Sequence, residues 1–505
     1  MTAKERKHPP EGEGSIIEAP EEVLTTLRND GTRRWMYPVL NKGPWLRKRQ
    51  IVGYGLILLF FALPIISIGG EPAVWLDVVH RRFVVLGQVF YPTDMALLML
   101  MGITSLLVIA WLTALFGRVW CGWGCPQTVY LELVFRPIER WIEGKANARR
   151  KLDEKQGWTP EKIRKKVLKF GIFGLISVVM AHNFVAYFIS WKILREWMVH
   201  SPAEHWGVFV LTFGVTALIF FDFAYFREQM CTIACPYARL QSVLMDADSM
   251  IVSYDAKRGE PRGKRRRNDP EAANETLGSC VDCNACVRAC PTGIDIRNGL
   301  QLECIGCTQC IDACDDVMAK LAQPGGLIRY TSERQLEEEK TRVIRPRVLI
   351  YSALCLLFGG LLVAGIAINH TLELDVVRAT GAPFIMAPDG QVANRLKVRV
   401  RNRSNTAHDV QVKVSAPAGA SLRVVGPPTT RIEPGEMKRI EVWVLAPRDV
   451  FDDGKSTAHL VVGDGSEKFE REVDFALVGP DDLMQIPASQ KTPVKAPDTE
   501  KEAKP

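Results

Sequence analysis

Long apolar runs alternate with stretches dense in Lys and Arg, and five of these runs predict membrane-spanning helices. They cover about residues 51–69, 95–116, 167–191, 208–226 and 348–368, each near the ~20 residues that cross a bilayer as a helix. Pro64 predicts a kink near the far end of the first run. After Asn369 the pattern changes to alternation. Arg395–Arg401, Val410–Val414, Arg439–Val444 and His459–Val462 alternate polar and apolar residues, with Pro, Gly and Asn between them and a turn at Pro434–Gly435. That period of two predicts half-buried antiparallel strands in an all-β, immunoglobulin-like sandwich.

The chain has 505 residues, 47% of them hydrophobic, too many for one ordinary domain. Its formal charge of +7 becomes informative once it is divided among the loops. Residues 117–165 carry Arg118, Arg136, Arg140, Lys145, Arg149, Arg150 and Lys151, and residues 227–345 are also basic. Arg47, Lys48 and Arg49 precede the first run, whereas the connections at 70–93 and 192–207 are short and nearly charge-balanced. Basic loops stay in the cytoplasm, which predicts N-terminus in and C-terminus out. Residues 1–30 lack the apolar stretch of a cleavable signal peptide. Residues 485–505, rich in Lys, Pro and Glu, are expected to be disordered.

Eight of the thirteen cysteines lie between residues 280 and 314. Cys280, Cys283, Cys286 and Cys290-Pro291 have the Cys-x-x-Cys-x-x-Cys-x-x-x-Cys-Pro spacing, and Cys304, Cys307, Cys310 and Cys314 repeat it, with Asp315 in place of the proline. This is the bacterial two-cluster ferredoxin pattern, in which the fourth cysteine of each run ligates the other cluster. The expected ligands are Cys280, Cys283, Cys286 and Cys314 for one 4Fe–4S cluster, and Cys304, Cys307, Cys310 and Cys290 for the second. Zinc or disulfides suit a lone Cys-x-x-Cys but not two complete quartets. Cysteines loaded with iron must stay reduced, which agrees with the cytoplasmic side assigned by charge.

A second set repeats at a distance of 110 residues: Cys121-x-x-x-Cys125-Pro126 and Cys231-x-x-x-Cys235-Pro236, each after an even-numbered run. Two apolar runs plus a cysteine motif form an internal repeat. Packed about an axis along the membrane normal, the repeats would bring all four thiols together at the inner surface. Four sulfurs there suit Cu(I), zinc or another iron–sulfur cluster, and packing cysteines at helix ends are the structural alternative. Gly122 and Gly124 predict that the first motif is more loop than helix.

Other residues are weaker candidates. Cys355 and Met95, Met99 and Met101 read as packing within apolar helices. His182 is ionisable inside the third run, yet it gives no paired haem ligands with His200 and His205 near the outer loop. Asp222 is expected to cap or pair locally. The basic run Arg262, Lys264, Arg265, Arg266 and Arg267 reads as a solvated or headgroup-facing linker, or as a dock for an acidic electron donor. Glu337, Glu338 and Glu339 predict a helix leading into the fifth run.

The expected architecture is therefore a multidomain membrane protein. It has a cytoplasmic segment 1–46, four transmembrane helices within 47–226, and a cytoplasmic segment 227–345 with a ferredoxin-like domain at about 270–325. A fifth helix at 346–369, an outer immunoglobulin-like domain at 370–484 and a disordered tail follow.

Paired Cys-x-x-x-Cys-Pro motifs followed by a double 4Fe–4S run resemble the group that includes NapH and NosR. The fifth span and outer sandwich make the chain similar to the CcoG (FixG, RdxA) family of accessory proteins for cbb-type cytochrome c oxidase. The resemblance covers about residues 35–485. It implies a bacterial cytoplasmic-membrane protein with a periplasmic C-terminal domain that reduces Cu(II) to Cu(I) for the oxidase. The two 4Fe–4S clusters would be held by the eight ferredoxin cysteines, and the membrane-edge motif carries over onto Cys121, Cys125, Cys231 and Cys235. The implied partners are a cytoplasmic electron donor, copper, copper chaperones or a transporter, and the oxidase assembly machinery; nucleic acid is not expected. The alternatives are a NapH-like subunit of a quinol-oxidising complex and a redox- or oxygen-sensing scaffold.

Overall fold

Among the described residues, four helices are long and apolar enough to cross a membrane: Met95–Phe116, Pro160–Ile189, Trp206–Phe226 and Pro346–Ile368. The computed structural model describes residues 25–27, 32–68, 70–91, 94–263, 277–368, 372–404, 406–466 and 469–480. The third expected span starts earlier, at Pro160, where Thr159 caps the helix by accepting from the Lys162 N–H. It ends before Ser190, whose φ of 72° breaks the helix. None of the most apolar window of Met95–Phe116 or Pro346–Ile368 is buried, so both helices present their side chains outward, as lipid-facing helices must. They run side by side: Trp111 donates to Ser352 Oγ at 2.9 Å, and Gly365 faces Leu97.

The first expected span differs from its reading at 51–69. A helix is present at Pro44–Ala62, but it includes Arg47, Lys48 and Arg49 and is not among the four. Pro64 lies beyond its end and does not kink it. The terminal carbonyl of Phe60 is satisfied by Asn183 Nδ2 at 2.9 Å and Tyr187 Oη at 2.7 Å, replacing partners that a continuing helix would supply. Residues 70–93, expected as a plain loop, contain a three-stranded meander, Val74–Asp77, Arg82–Val85 and Gln88–Phe90.

Around the cysteine run, strand Ile251–Tyr254 pairs antiparallel with Ile328–Thr331. Helices Ala285–Ala289 and Gln309–Lys320 pack with them over a core that includes Val252, Ile294, Ile311, Met318 and Ile328. Glu337–Glu339 form no helix; only Glu333–Leu336 is helical, and Glu338 has a φ of 70°. Residues 264–267 of the basic run lie outside the described residues.

The chain divides into two compact units, 1–367 and 368–505. The second is a two-sheet β structure. One sheet has the order Ser421–Val425, Met437–Ala446, Val392–Asn402, Leu372–Arg378, with Ile385–Met386 also paired to Val392–Asn402. The other has the order Thr430–Ile432, His408–Ala416, Lys455–Gly463, Glu470–Val478. Leu396, Val398, Val400, Val442, Val444, Leu460 and Val462 fill the space between the sheets, each from the inward phase of its strand. All four alternating segments of the sequence are longer here as strands. Leu372–Arg378, Ser421–Val425, Thr430–Ile432 and Glu470–Val478 were not anticipated.

Candidate cluster sites and the paired cysteines

Two adjacent cavities take up the ferredoxin cysteines. Cys280, Cys283, Cys286 and Cys314 line one, together with Arg297 and Met318. Cys290, Cys304, Cys307 and Cys310 line the other, with Cys286 also on its wall. Each cavity thus draws three sulfurs from one run and the fourth from the other. Asn284 and Thr308, in the left-handed region at φ 56° and 63°, turn the chain within each run before its helix begins. Burial pushes Cys286 up to about 11 and Cys314 to about 12. It also raises Cys304, and Cys307 to about 12, against the charges of Arg118 and Arg49 respectively. Thiols this buried are poor thiolates on their own and become good ones on binding metal.

The second cavity has buried cations beside it. Arg49 is 1% exposed; its Nε donates to Gly122 O at 2.7 Å, and Nη2 has no partner among the described residues. Arg118 donates from Nη1 to the carbonyls of Cys304, at 2.9 Å, and Leu302. A buried guanidinium with an unpaired nitrogen requires a compensating anion, and a thiolate-bound cluster supplies one. Together with the sulfur-lined cavities, this is what residues built for 4Fe–4S clusters would show.

The paired cysteines sit on matching turns. Trp120–Gly124 and Met230–Ala234 are π-helical turns, and not the loop expected of the first motif. Cys125 and Cys235 are extended because a proline follows each. Gln241, fully buried, donates from Nε2 to Cys121 Sγ at 3.1 Å. Burial raises the thiols of Cys121 (to about 11), Cys125 and Cys231, and each of the three lies within electrostatic range of Cys235. The four cysteines are therefore neighbours. Among the described residues, however, no three His, Cys, Asp or Glu side chains close on a single ion.

The two sets, both expected on the cytoplasmic face, meet through backbone. A Cβ on Gly122 would lie 2.7 Å from the carbonyl oxygens of both Ile305 and Gly306, and Gly306, at φ 65°, packs in turn on the Arg118 backbone. The turn holding Cys121 thus touches the loop between Cys304 and Cys307. Asp312, between Cys310 and Cys314, accepts from the N–H groups of Trp45 (3.2 Å) and Leu46 (2.8 Å). It caps the helix that carries Arg49 and favours its positive end. A buried ionic network completes the frame. Glu139 accepts from Arg227 at 2.6 and 3.0 Å and from Arg149 at 2.6 Å, and Arg136 reaches Glu228 and Pro291 O at 3.3 Å each.

The weaker candidates resolve locally. His182 Nδ1 lies 2.8 Å from Val178 O and His200 Nδ1 2.8 Å from Glu196 O, while His205 stacks on Trp197. Asp222 accepts from Gln127 Nε2 at 3.1 Å. Met95 and Met99 are exposed on their helix, and Cys355 is a half-buried thiol of the last apolar helix.

The fold and the sulfur-lined cavities define a membrane protein that carries two 4Fe–4S clusters and transfers electrons. Comparison with known proteins agrees: the 4Fe–4S dicluster domain family matches residues 226–333, a 4Fe–4S binding domain matches 98–148, and the Ig-like fold at the C-terminus of FixG matches 362–480. The chain is 32% identical to the nitrogen fixation protein FixG of Rhizobium meliloti (strain 1021) over 92% of its own length and 97% of that protein. It is 36% identical to protein RdxB of Cereibacter sphaeroides over 74% and 80%, and 36% identical to protein RdxA of the same organism over 70% and 76%. The chain belongs to the FixG/RdxA (CcoG) family.

Proposed function

We propose that the chain reduces Cu(II) to Cu(I) at the membrane-edge cysteines, in support of cbb-type oxidase assembly. Cu(II) is the substrate and gains one electron; the soft sulfurs of Cys121, Cys125, Cys231 and Cys235 favour the Cu(I) product. In this reading Cys280, Cys283, Cys286 and Cys314 hold one cluster, and Cys290, Cys304, Cys307 and Cys310 the other. When bound, 4Fe–4S clusters supply one-electron carriage. The observation that carries the proposal is the backbone contact of Gly122 with Ile305 and Gly306, which sets the metal-binding turn against the second cluster loop. Arg49 and Arg118 hold that contact, and Gln241 orients Cys121. The oxidase context rests on the likeness of motif order to the family.

The same reading takes the Pro44–Ala62 helix as a fifth membrane pass, with the N-terminus and clusters in the cytoplasm and the β unit in the periplasm. The exposure of Ile51, Leu58 and Leu59 supports it, as does the basic character of the loops. One observation favours a second reading of the paired cysteines: the 4Fe–4S binding-domain match at 98–148 contains Cys121 and Cys125, which suits a further cluster in place of copper. Anaerobic metal analysis separates the two. Purified protein incubated with Cu(I) is expected to retain copper, and a variant with all four cysteines changed to Ser to lose it while keeping its cluster spectrum. Iron lost from the variant, with no difference in copper, would establish the second reading.

A further inference from the structure

A cavity of about 510 Å³ lies between residues 34–39, the helix Ala146–Glu154 and the chain around Cys290. Its size is that of a small-molecule site. Cys290 lines both this cleft and the cavity shared by Cys304, Cys307 and Cys310, so a ligand here would be separated from the second cluster site by one residue.

The charges of the cleft select an anion. Its carboxylates are already engaged: Glu154 pairs with Arg150 at 2.7 Å, and Asp153 accepts from Tyr37 at 2.8 Å and pairs with Lys166 at 2.6 Å. Two guanidiniums have no such partner among the described residues. Arg288 donates only to the Cys283 carbonyl, at 3.2 Å, and Arg34 makes no side-chain hydrogen bond or ion pair. Trp35, 42% exposed, stands beside them with the Arg33 guanidinium over its ring at 3.8 Å, a fixed aromatic surface for a planar ligand. Planar fork donors favour phosphate.

The neighbouring site accepts electrons singly, so a pure hydride donor cannot serve it. A quinol can give single electrons, but it is neutral and its tail belongs among apolar helices, none of which lines the cleft. We infer that this cleft binds a phosphorylated flavin, reduced FMN, as the electron donor, with its phosphate on Arg34 and Arg288 and its ring system against Trp35. Reduced FMN would give up two electrons and two protons, the protons to water and the electrons singly to the clusters that Cys290, Cys304, Cys307 and Cys310 and Cys280, Cys283, Cys286 and Cys314 would hold, leaving oxidised FMN.

The inference rests on the reading of the chain as an electron acceptor at its ferredoxin sites. Its test is binding to the full-length, cluster-loaded protein in detergent, followed by quenching of FMN fluorescence. FMN is expected to bind, with riboflavin, which lacks the phosphate, at least about tenfold weaker. The variant R34A/R288A is expected to lose at least about tenfold in FMN affinity while its cluster absorbance is unchanged, since both side chains are exposed. Equal binding of riboflavin, equal binding by the variant, or no FMN binding below millimolar concentration would overturn it. Copper reduction by chemically reduced protein can still succeed in each of these cases, so failure here is distinct from failure of the proposed function.

Discussion

Arg49 Nε donates to the carbonyl of Gly122 at 2.7 Å, joining a helix capped by the second cysteine run to the turn that carries Cys121. The same guanidinium lies close enough to Cys307 to oppose the effect of burial on its thiol. Arg49→Met should therefore lower the reduction potential of the second cluster, by about 60 mV for each 1.4 kcal/mol of lost stabilisation. A redox titration followed by electron paramagnetic resonance checks this. The cluster of Cys280, Cys283 and Cys286, beside the separately paired Arg297, should keep its potential.

Gly122→Ala tests the contact between the two cysteine sets. Its Cβ would meet backbone that cannot rotate away, so overpacking should cost about 1–3 kcal/mol and slow electron delivery to copper. Gly55→Ala is the control, because among the described residues nothing beyond its own turn of helix lies within 4 Å of its Cβ. Thermal melting and the rate of cluster reoxidation, measured on both variants, distinguish contact from a general helix effect.

The proposed exchange of ligands between the runs predicts an unequal outcome. Cys290→Ser should remove the cluster of Cys304, Cys307 and Cys310 and leave that of its own run intact, with about half the iron retained. Iron analysis and the spectrum of the remaining cluster report it. Loss of the Cys280–Cys286 cluster instead would contradict the assignment.

Burial would raise the Glu139 carboxyl, but Arg227, Lys169 and Arg149 outweigh it and hold the group down to about 2 from an ordinary 4.5. A carboxylate depressed in the folded state stabilises fully above the unfolded value, and that contribution fades as pH falls from about 5 towards 2. Glu139→Gln leaves the guanidiniums buried without their charge partner, which should cost about 3–5 kcal/mol. It should also flatten the fall in melting temperature between about pH 5 and 3. An unchanged acid slope would show that the network contributes nothing to folding.

Much of this site was legible because its chemistry is written in spacing. The two quartets, the fourth cysteine that each run lends to the other's cavity and the repeat at 110 residues all follow from cysteine positions, and the apolar runs mark the helices. The missing parts are tertiary. Arg49 sits in a basic flank where any cation satisfies the topology signal, and nothing local sets it apart from Arg47. Gly122 read as a loop former, while its need for a bare Cα comes from Gly306, far along the chain. Asp312 stands between Cys310 and Cys314 and caps a helix that begins at Pro44. The first span was misplaced because hydropathy marks the apolar run, whereas the helix begins where Pro44 and Asp312 start it.

The most direct test of copper reduction uses protein reduced anaerobically, freed of reductant and mixed with Cu(II). Cluster absorbance is followed together with Cu(I) captured by a chelator. Rapid cluster reoxidation with matching formation of Cu(I) is expected, abolished in Cys231→Ser/Cys235→Ser although its clusters still take up electrons. Equal rates in that variant and in the unaltered protein would contradict it.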